Sequence, residues 1–142
     1  MASRRTEIVR EIAADPQTVW DVLVDVGAWA DWNPTVISIE GAGVAGTSVK
    51  LVSTLSPKRT FTLKVDEVTA PRRMVWSDGM PFGLFTGTRT YTVDAAPAGA
   101  VFTMVEEYAG PMAGLIIRSI PELSGSFAEF ADGLQQAAEG SA

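Results

Sequence analysis

From Thr6 to Ile12 the chain reads TEIVREI, apolar and polar residues in alternation and rich in β-branched types, which predicts a first strand. Asp15 and Pro16 follow at once. An aspartate can accept hydrogen bonds from the free N–H groups of a first helical turn, and a proline at the first helical position needs no N–H partner. A helix is therefore expected from Pro16, with Val19, Trp20 and Leu23 on one face. Between Gly27 and Trp32 there is room for only one or two turns before Asn33 and Pro34 end them. After Pro34 the pattern becomes a meander, with apolar or alternating runs at about 36–40, 48–55, 61–68, 73–78, 84–94 and 100–109. Turn residues separate nearly every pair of runs, among them Gly41-Ala42-Gly43, Ser56-Pro57-Lys58, Ala70-Pro71-Arg72, Gly79-Met80-Pro81 and Ala96-Pro97-Ala98-Gly99, so neighbouring strands should be antiparallel.

From Pro111 the alternation stops. Ile116, Ile120, Leu123, Phe127, Phe130 and Leu134 recur at spacings of four and three, the apolar seam of an amphipathic helix. Pro121 removes a hydrogen bond to the carbonyl of Ile117 and clashes with it, which predicts a break near Arg118 to Ile120 and a helix in two pieces. The fold class is α+β: a curved antiparallel sheet of about seven strands wrapped around a long C-terminal helix, with two short helices after the first strand. A twisted sheet curves away from a straight helix, and the space left between them is a pocket suited to an apolar small molecule.

At 142 residues the chain has the size of one domain, and 1–142 is read as a single ligand-binding unit. A formal net charge of -6 provides no basic field, so nucleic acid is not expected as a partner. No stretch approaches the roughly 20 apolar residues of a spanning helix, and the N-terminus lacks the apolar run of a signal peptide; no membrane span and a cytoplasmic location are expected. There is no cysteine and no histidine. A disulfide framework, a thiolate nucleophile, a Ser-His-Asp triad and the common zinc sites are thereby excluded, and no metal or cofactor is expected.

If Ala95 to Ala100 form the turn between the last two strands, Val93 faces Phe102, Tyr91 faces Met104 and Arg89 faces Glu106. The opposite face of the first of these strands carries Thr86, Thr88, Thr90 and Thr92, a row suited to solvent, so the first set should point inward. Arg89 and Glu106 on a cavity wall are either a structural ion pair or the polar handle that orients a ligand oxygen, and with Tyr108 they are the candidate catalytic groups. Trp32, Phe61, Leu63, Met74 and Trp76 are candidates for the apolar wall by strand parity or position, and Asn33 for a side-chain amide aimed inward or a turn hydrogen bond. Ile116, Ile120 and Phe127 extend the wall on the helix. The segment GMPFGLF from Gly79 to Phe85, with Phe82, is too apolar for a fully solvated loop and reads equally as a lid or as a packed hairpin or dimer contact.

The order Asp15-Pro16, Val19-Trp20, Asp25, Trp29, Trp32-Asn33-Pro34, Gly87 with Arg89, Tyr91 and Val93, and finally Glu106, Tyr108 and Gly110, resembles the SRPBCC superfamily over almost the whole chain. That group includes START lipid-transfer domains, birch-pollen-allergen-like proteins and polyketide cyclase/dehydrase domains. The resemblance implies a helix-grip fold with an apolar cavity for lipids, hormones, polyketides or similar molecules; separately, a hydrophobic small-molecule partner and a monomer or homodimer are expected. It transfers no catalytic motif. Binding or transport of a hydrophobic small molecule is the first functional expectation; a polyketide cyclase, aromatase or dehydratase in the same cavity is the second, and a protein-interaction module the third.

Overall fold

The first alternating segment and the six later runs come together in one seven-stranded antiparallel sheet, seen in a computed structural model that describes residues 4–120 and 122–141. The strands are β1 (Arg4–Ile12), β2 (Val36–Glu40), β3 (Ser48–Ser53), β4 (Phe61–Thr69), β5 (Arg73–Met80), β6 (Phe85–Ala96) and β7 (Gly99–Ala109). Their spatial order is β1-β7-β6-β5-β4-β3-β2, so the chain meanders from β2 to β7 and β7 ends beside the first strand. Pairing shifts register between Val36 and Ser38 and between Val65 and Glu67. Such irregularities bend a strand and raise its twist, which is what curls this sheet.

Helix α1 (Pro16–Val24) begins as its sequence dictates: the Asp15 carboxylate accepts from Thr18 N at 2.9 Å and from Thr18 Oγ1 at 3.1 Å, and Val19, Trp20 and Leu23 are buried. A 3₁₀ turn over Val26–Ala28 leads into the single turn of α2 (Trp29–Trp32). Trp29 Nε1 donates to the Leu23 carbonyl at 2.8 Å, which ties the two helices together inside the core.

The C-terminal segment is more divided than its periodicity suggests. A single turn, α3 (Ala113–Ile116), runs into a 3₁₀ turn over Ile117–Ser119, Ile120 is extended, and the long helix α4 occupies only Ser124–Ser141. The break falls where it is expected, but the first piece is too short to count as half of a long helix; Pro121, to which the break is ascribed, lies outside the described residues. Helix α4 packs across β1, where Arg10 Nη1 donates to Asp132 Oδ1 at 2.7 Å and to Gln135 Oε1 at 2.8 Å. It also presses on the end of α2: a Cβ at Gly133 would lie 2.2 Å from the Trp32 carbonyl oxygen, so only glycine permits this approach. Phe127, Phe130, Leu134 and Ala138 on its inner face are buried against the sheet and α1.

Candidate functional site

The β6–β7 hairpin turns through Pro97 and Ala98, with Ala96 opposite Gly99, one pair tighter than the expected turn. Its register is the expected one, with Val93 opposite Phe102, Tyr91 opposite Met104 and Arg89 opposite Glu106. Because side chains alternate faces, the inward residues of β5, β6 and β7 fall into cross-strand rows: Asp78-Gly87-Tyr108, then Trp76-Arg89-Glu106, then Met74-Tyr91-Met104. A cavity of about 270 Å³ lies over the first two rows and reaches Tyr91 in the third, bounded elsewhere by α2, the start of β2, β3, β4 and the segment between them, the segment around α3, and α4.

Asn33, Phe61, Leu63, Trp76, Arg89, Tyr91, Glu106, Tyr108, Ile116 and Ile120 line this cavity. The other expected wall residues do not. Met74 and Met104 flank Tyr91 on the correct face but belong to the closed core, fully buried, because strand parity fixes a residue's face and not its depth. Trp32 packs its ring on Trp29 and Phe130, with centroids 5.8 and 5.4 Å away, and stands behind the wall. Phe127 is covered by the Arg89 guanidinium, 4.9 Å above its ring. Phe82 is 98% exposed at the tip of the β5–β6 hairpin, in a left-handed backbone conformation (φ 61°) that turns it away from the cavity. The backbone of that hairpin packs instead on the chain entering α3, the Leu84 carbonyl accepting from Met112 N at 2.8 Å.

The polar part of the wall is built around Glu106. Arg89 Nε donates to its Oε1 at 2.7 Å and the Tyr108 hydroxyl to its Oε2 at 2.8 Å, so both carboxylate oxygens are engaged. The Arg89 and Glu106 side chains are 29% and 14% exposed. Burial works against the charge of Arg89, but Glu106 overrides it and the guanidinium is held more firmly protonated than usual. Burial, reinforced by Glu106, raises the Tyr108 phenol above its ordinary range, and burial does the same for Tyr91. Both tyrosines are therefore neutral hydrogen-bonding groups.

One carboxyl in the cavity behaves differently. Asp78 is pushed upward by burial and then by Glu106, with Arg89 and Arg59 pulling against them. It stands in the row beside Gly87, where a side chain would collide with it: a Cβ there would lie 3.0 Å from Asp78 Oδ1 and 3.1 Å from Tyr108 Cε1. Sequence reasoning missed Asp78, although it shares parity with Trp76 and so faces inward. It also missed Trp29, which stacks on Trp76 with centroids 5.0 Å apart and an interplanar angle of 13°. Phe130 and Leu123 were visible only as members of the helical seam, and Arg59, over the Phe61 ring at 4.5 Å, had no signal beyond its charge.

Four buried polar groups make no well-formed hydrogen bond among the described residues: Trp32 Nε1, Asn33 Nδ2, Trp76 Nε1 and the Tyr91 hydroxyl, the last facing the Arg89 guanidinium through its oxygen. The last three belong to cavity-lining residues. Asn33 Oδ1 is occupied, accepting from Thr35 N at 3.0 Å and Thr35 Oγ1 at 2.7 Å, so the expected turn hydrogen bond is made by the oxygen and the amide nitrogen remains over. Among the described residues no cluster of three or more acidic side chains could hold a metal ion, and no helix is long and apolar enough to cross a membrane.

Solved structures share this architecture. An aromatase/cyclase, Zhui, from Streptomyces sp. R1128 superposes with a TM-score of 0.75 at 17% identity, covering 97% of this chain and 94% of its own. Norcoclaurine synthase from Thalictrum flavum, in complex with dopamine and hydroxybenzaldehyde, superposes with a TM-score of 0.69 at 19% identity, covering 95% and 86%. A protein from Mesorhizobium loti gives 0.73 at 15% identity over 98% and 99% of the two chains. At such identities the likeness is one of fold, the helix-grip arrangement. No curated protein matches the chain in sequence. A family model does match, over residues 3–139, and by it the chain belongs to the family described as polyketide cyclase / dehydrase and lipid transport.

Proposed function

We propose that residues 1–142 act as one ligand-binding domain that holds a hydrophobic small molecule, aromatic or polyketide in character, between the curled sheet and α4. The observation that carries this reading is the cavity itself: about 270 Å³, walled by Trp29, Phe61, Leu63, Trp76, Ile116 and Phe130, with the linked polar groups Arg89, Glu106 and Tyr108 on two adjacent cross-strand rows. Apolar walls supply affinity through burial, and a few fixed polar groups orient the ligand. The family description, which includes lipid transport, supports this reading, as does a neighbour of the same fold that holds small aromatic molecules. Native mass spectrometry of freshly expressed protein, followed by denaturing extraction, tests it. A stoichiometric apolar passenger is the expected result, with a melting temperature that rises with added passenger. Protein that is empty, and that no lipid, polyketide or aromatic library stabilises, would overturn it.

A second reading, a cyclase or dehydratase in the same cavity, is favoured by Asp78. Glu106 is held by two donors, whereas Asp78 is a cavity carboxyl raised by burial, the direction a general acid requires. On this reading Asp78→Asn abolishes turnover of a poly-β-ketone while its binding persists; turnover that survives the substitution would remove Asp78 from any catalytic role.

A further inference from the structure

Three donors at the inner part of the cavity remain unassigned by the ion-pair row. Tyr91 is one inward position deeper on β6 than Arg89, roughly 6.6 Å along the strand. Its ring meets that of Trp76 edge to face with centroids 5.5 Å apart, and Trp76 in turn stacks on Trp29, whose carbonyl accepts from Asn33 N at 2.7 Å. Trp76, Tyr91 and Asn33 are 2%, 0% and 2% exposed, yet Trp76 Nε1 and Asn33 Nδ2 find no partner among the described residues, and the Tyr91 hydroxyl, whose oxygen faces the Arg89 guanidinium, finds no acceptor for its hydrogen. The orientation of Asn33 follows from its neighbour: the backbone N–H of Thr35 can only donate, so the atom facing it is the oxygen and the unpaired atom is the nitrogen.

Buried polar groups are almost always paired, and an unpaired one is strongly unfavourable. Three in one cavity, all able to donate and two of them unable to accept, describe the complement they require: an oxygen with lone pairs and no hydrogen. A carboxylate would meet that description but would bring a charge beside Arg89, whose own charge is already matched by Glu106 at 2.7 Å. Around the donors stand Trp29, Trp76, Tyr91 and Phe130, an aromatic enclosure suited to a flat body.

We infer that Trp76, Tyr91 and Asn33 form an inner subsite that receives the neutral carbonyl oxygen of a planar, largely aromatic ketone or quinone, with the remainder of the ligand lying toward the Asp78-Gly87-Tyr108 row. This rests on the cavity-binding reading and narrows it to one functional group.

Equilibrium dialysis of the full chain against 9-fluorenone and against fluorene, the same skeleton without the oxygen, tests the subsite. Hydrophobicity alone favours the hydrocarbon. The subsite predicts that the ketone binds at least about tenfold tighter, the factor expected for one or two buried hydrogen bonds gained. Tyr91→Phe and Trp76→Phe should each erode that preference, read as the ratio of the two dissociation constants within each variant. Tyr91→Phe supplies a readout that needs no probe: deleting a buried hydroxyl whose hydrogen has no acceptor should leave the melting temperature of the ligand-free protein within about 4 °C of the parent. A fall beyond about 4 °C, roughly the effect of 1 kcal/mol in a chain of this size, would mean the hydroxyl already has a structural task and would overturn the subsite. Equal binding of the two probes, or a preference untouched by both substitutions, would overturn it and leave the cavity reading standing. Failure of both probes to bind would overturn the subsite, and the cavity reading would then be decided by the passenger and library experiment.

Discussion

Asp78 and Tyr108 meet across the bare Cα of Gly87, on strands β5 and β7 that the intervening β6 would otherwise keep apart. A Cβ at position 87 would approach Asp78 Oδ1 to 3.0 Å and the Tyr108 ring to 3.1 Å. A valine there adds bulk that the ring cannot escape. Gly87→Val should destabilise the protein by about 1–3 kcal/mol, as overpacking generally does, and should shrink the thermal shift given by any ligand. Urea unfolding with and without ligand checks this; a variant as stable as the parent would mean that the row is looser than described.

Asp78 also sets a pH dependence. Its folded-state pKa is raised above the unfolded value, so between the two values the folded protein holds more protons, and its stability declines as pH rises through the folded pKa. Below the ordinary carboxylate range both states are protonated and the effect vanishes. Asp78→Asn, which mimics the protonated form, should therefore melt higher than the parent at pH 7 and no higher near pH 3. Melting curves across that range decide the point, and an Asn variant less stable at neutral pH would show that the carboxylate is paired.

For the ion pair, Arg89→Met should lose about 2–4 kcal/mol, the lower part of the range for breaking a buried pair because 29% of the arginine side chain meets solvent. Glu106→Leu alone should be similarly damaging, and the double variant should recover much of the combined loss, since no charge is then left uncompensated. A double-mutant cycle from urea titrations measures the coupling. Independent, additive losses would show that the two side chains do not depend on one another.

Two glycines of α4 should respond oppositely to alanine. At Gly133 the new methyl would lie 2.2 Å from the Trp32 carbonyl oxygen, and the helix must move away from α2. At Gly125 nothing lies within 4 Å, so Gly125→Ala should stabilise by up to about 1 kcal/mol through helix propensity. Melting temperatures of the two variants, compared with the parent, are expected to move in opposite directions.

The contrast between these glycines marks where sequence reading ends. Alternation, turn residues and the Asp15 cap are local properties, and they placed every strand and the β6–β7 register that joins Arg89 to Glu106. Depth within the cavity is not local. Met74, Trp76 and Asp78 share one parity on β5, yet one is closed core, one is cavity wall and one is a cavity carboxyl with a raised pKa, according to what the rest of the fold places over each. A charge near a strand end reads as solvated unless the covering element is known, which is why Asp78 went unnoticed. Trp29 sits in a single helical turn too short for any periodicity to show its face, and only the fold brings it onto Trp76.

That stacked pair has an optical consequence. Indoles held 5.0 Å apart at an interplanar angle of 13° couple their electronic transitions, and Trp32 stands within 5.8 Å of the first of them. Three of the chain's four tryptophans are thus gathered at one wall, two of them lining the cavity. A molecule entering alongside Trp29 and Trp76 must change their emission and their near-ultraviolet circular dichroism. The protein thereby carries its own unlabelled gauge of occupancy, and titrations can be read directly from its intrinsic spectra.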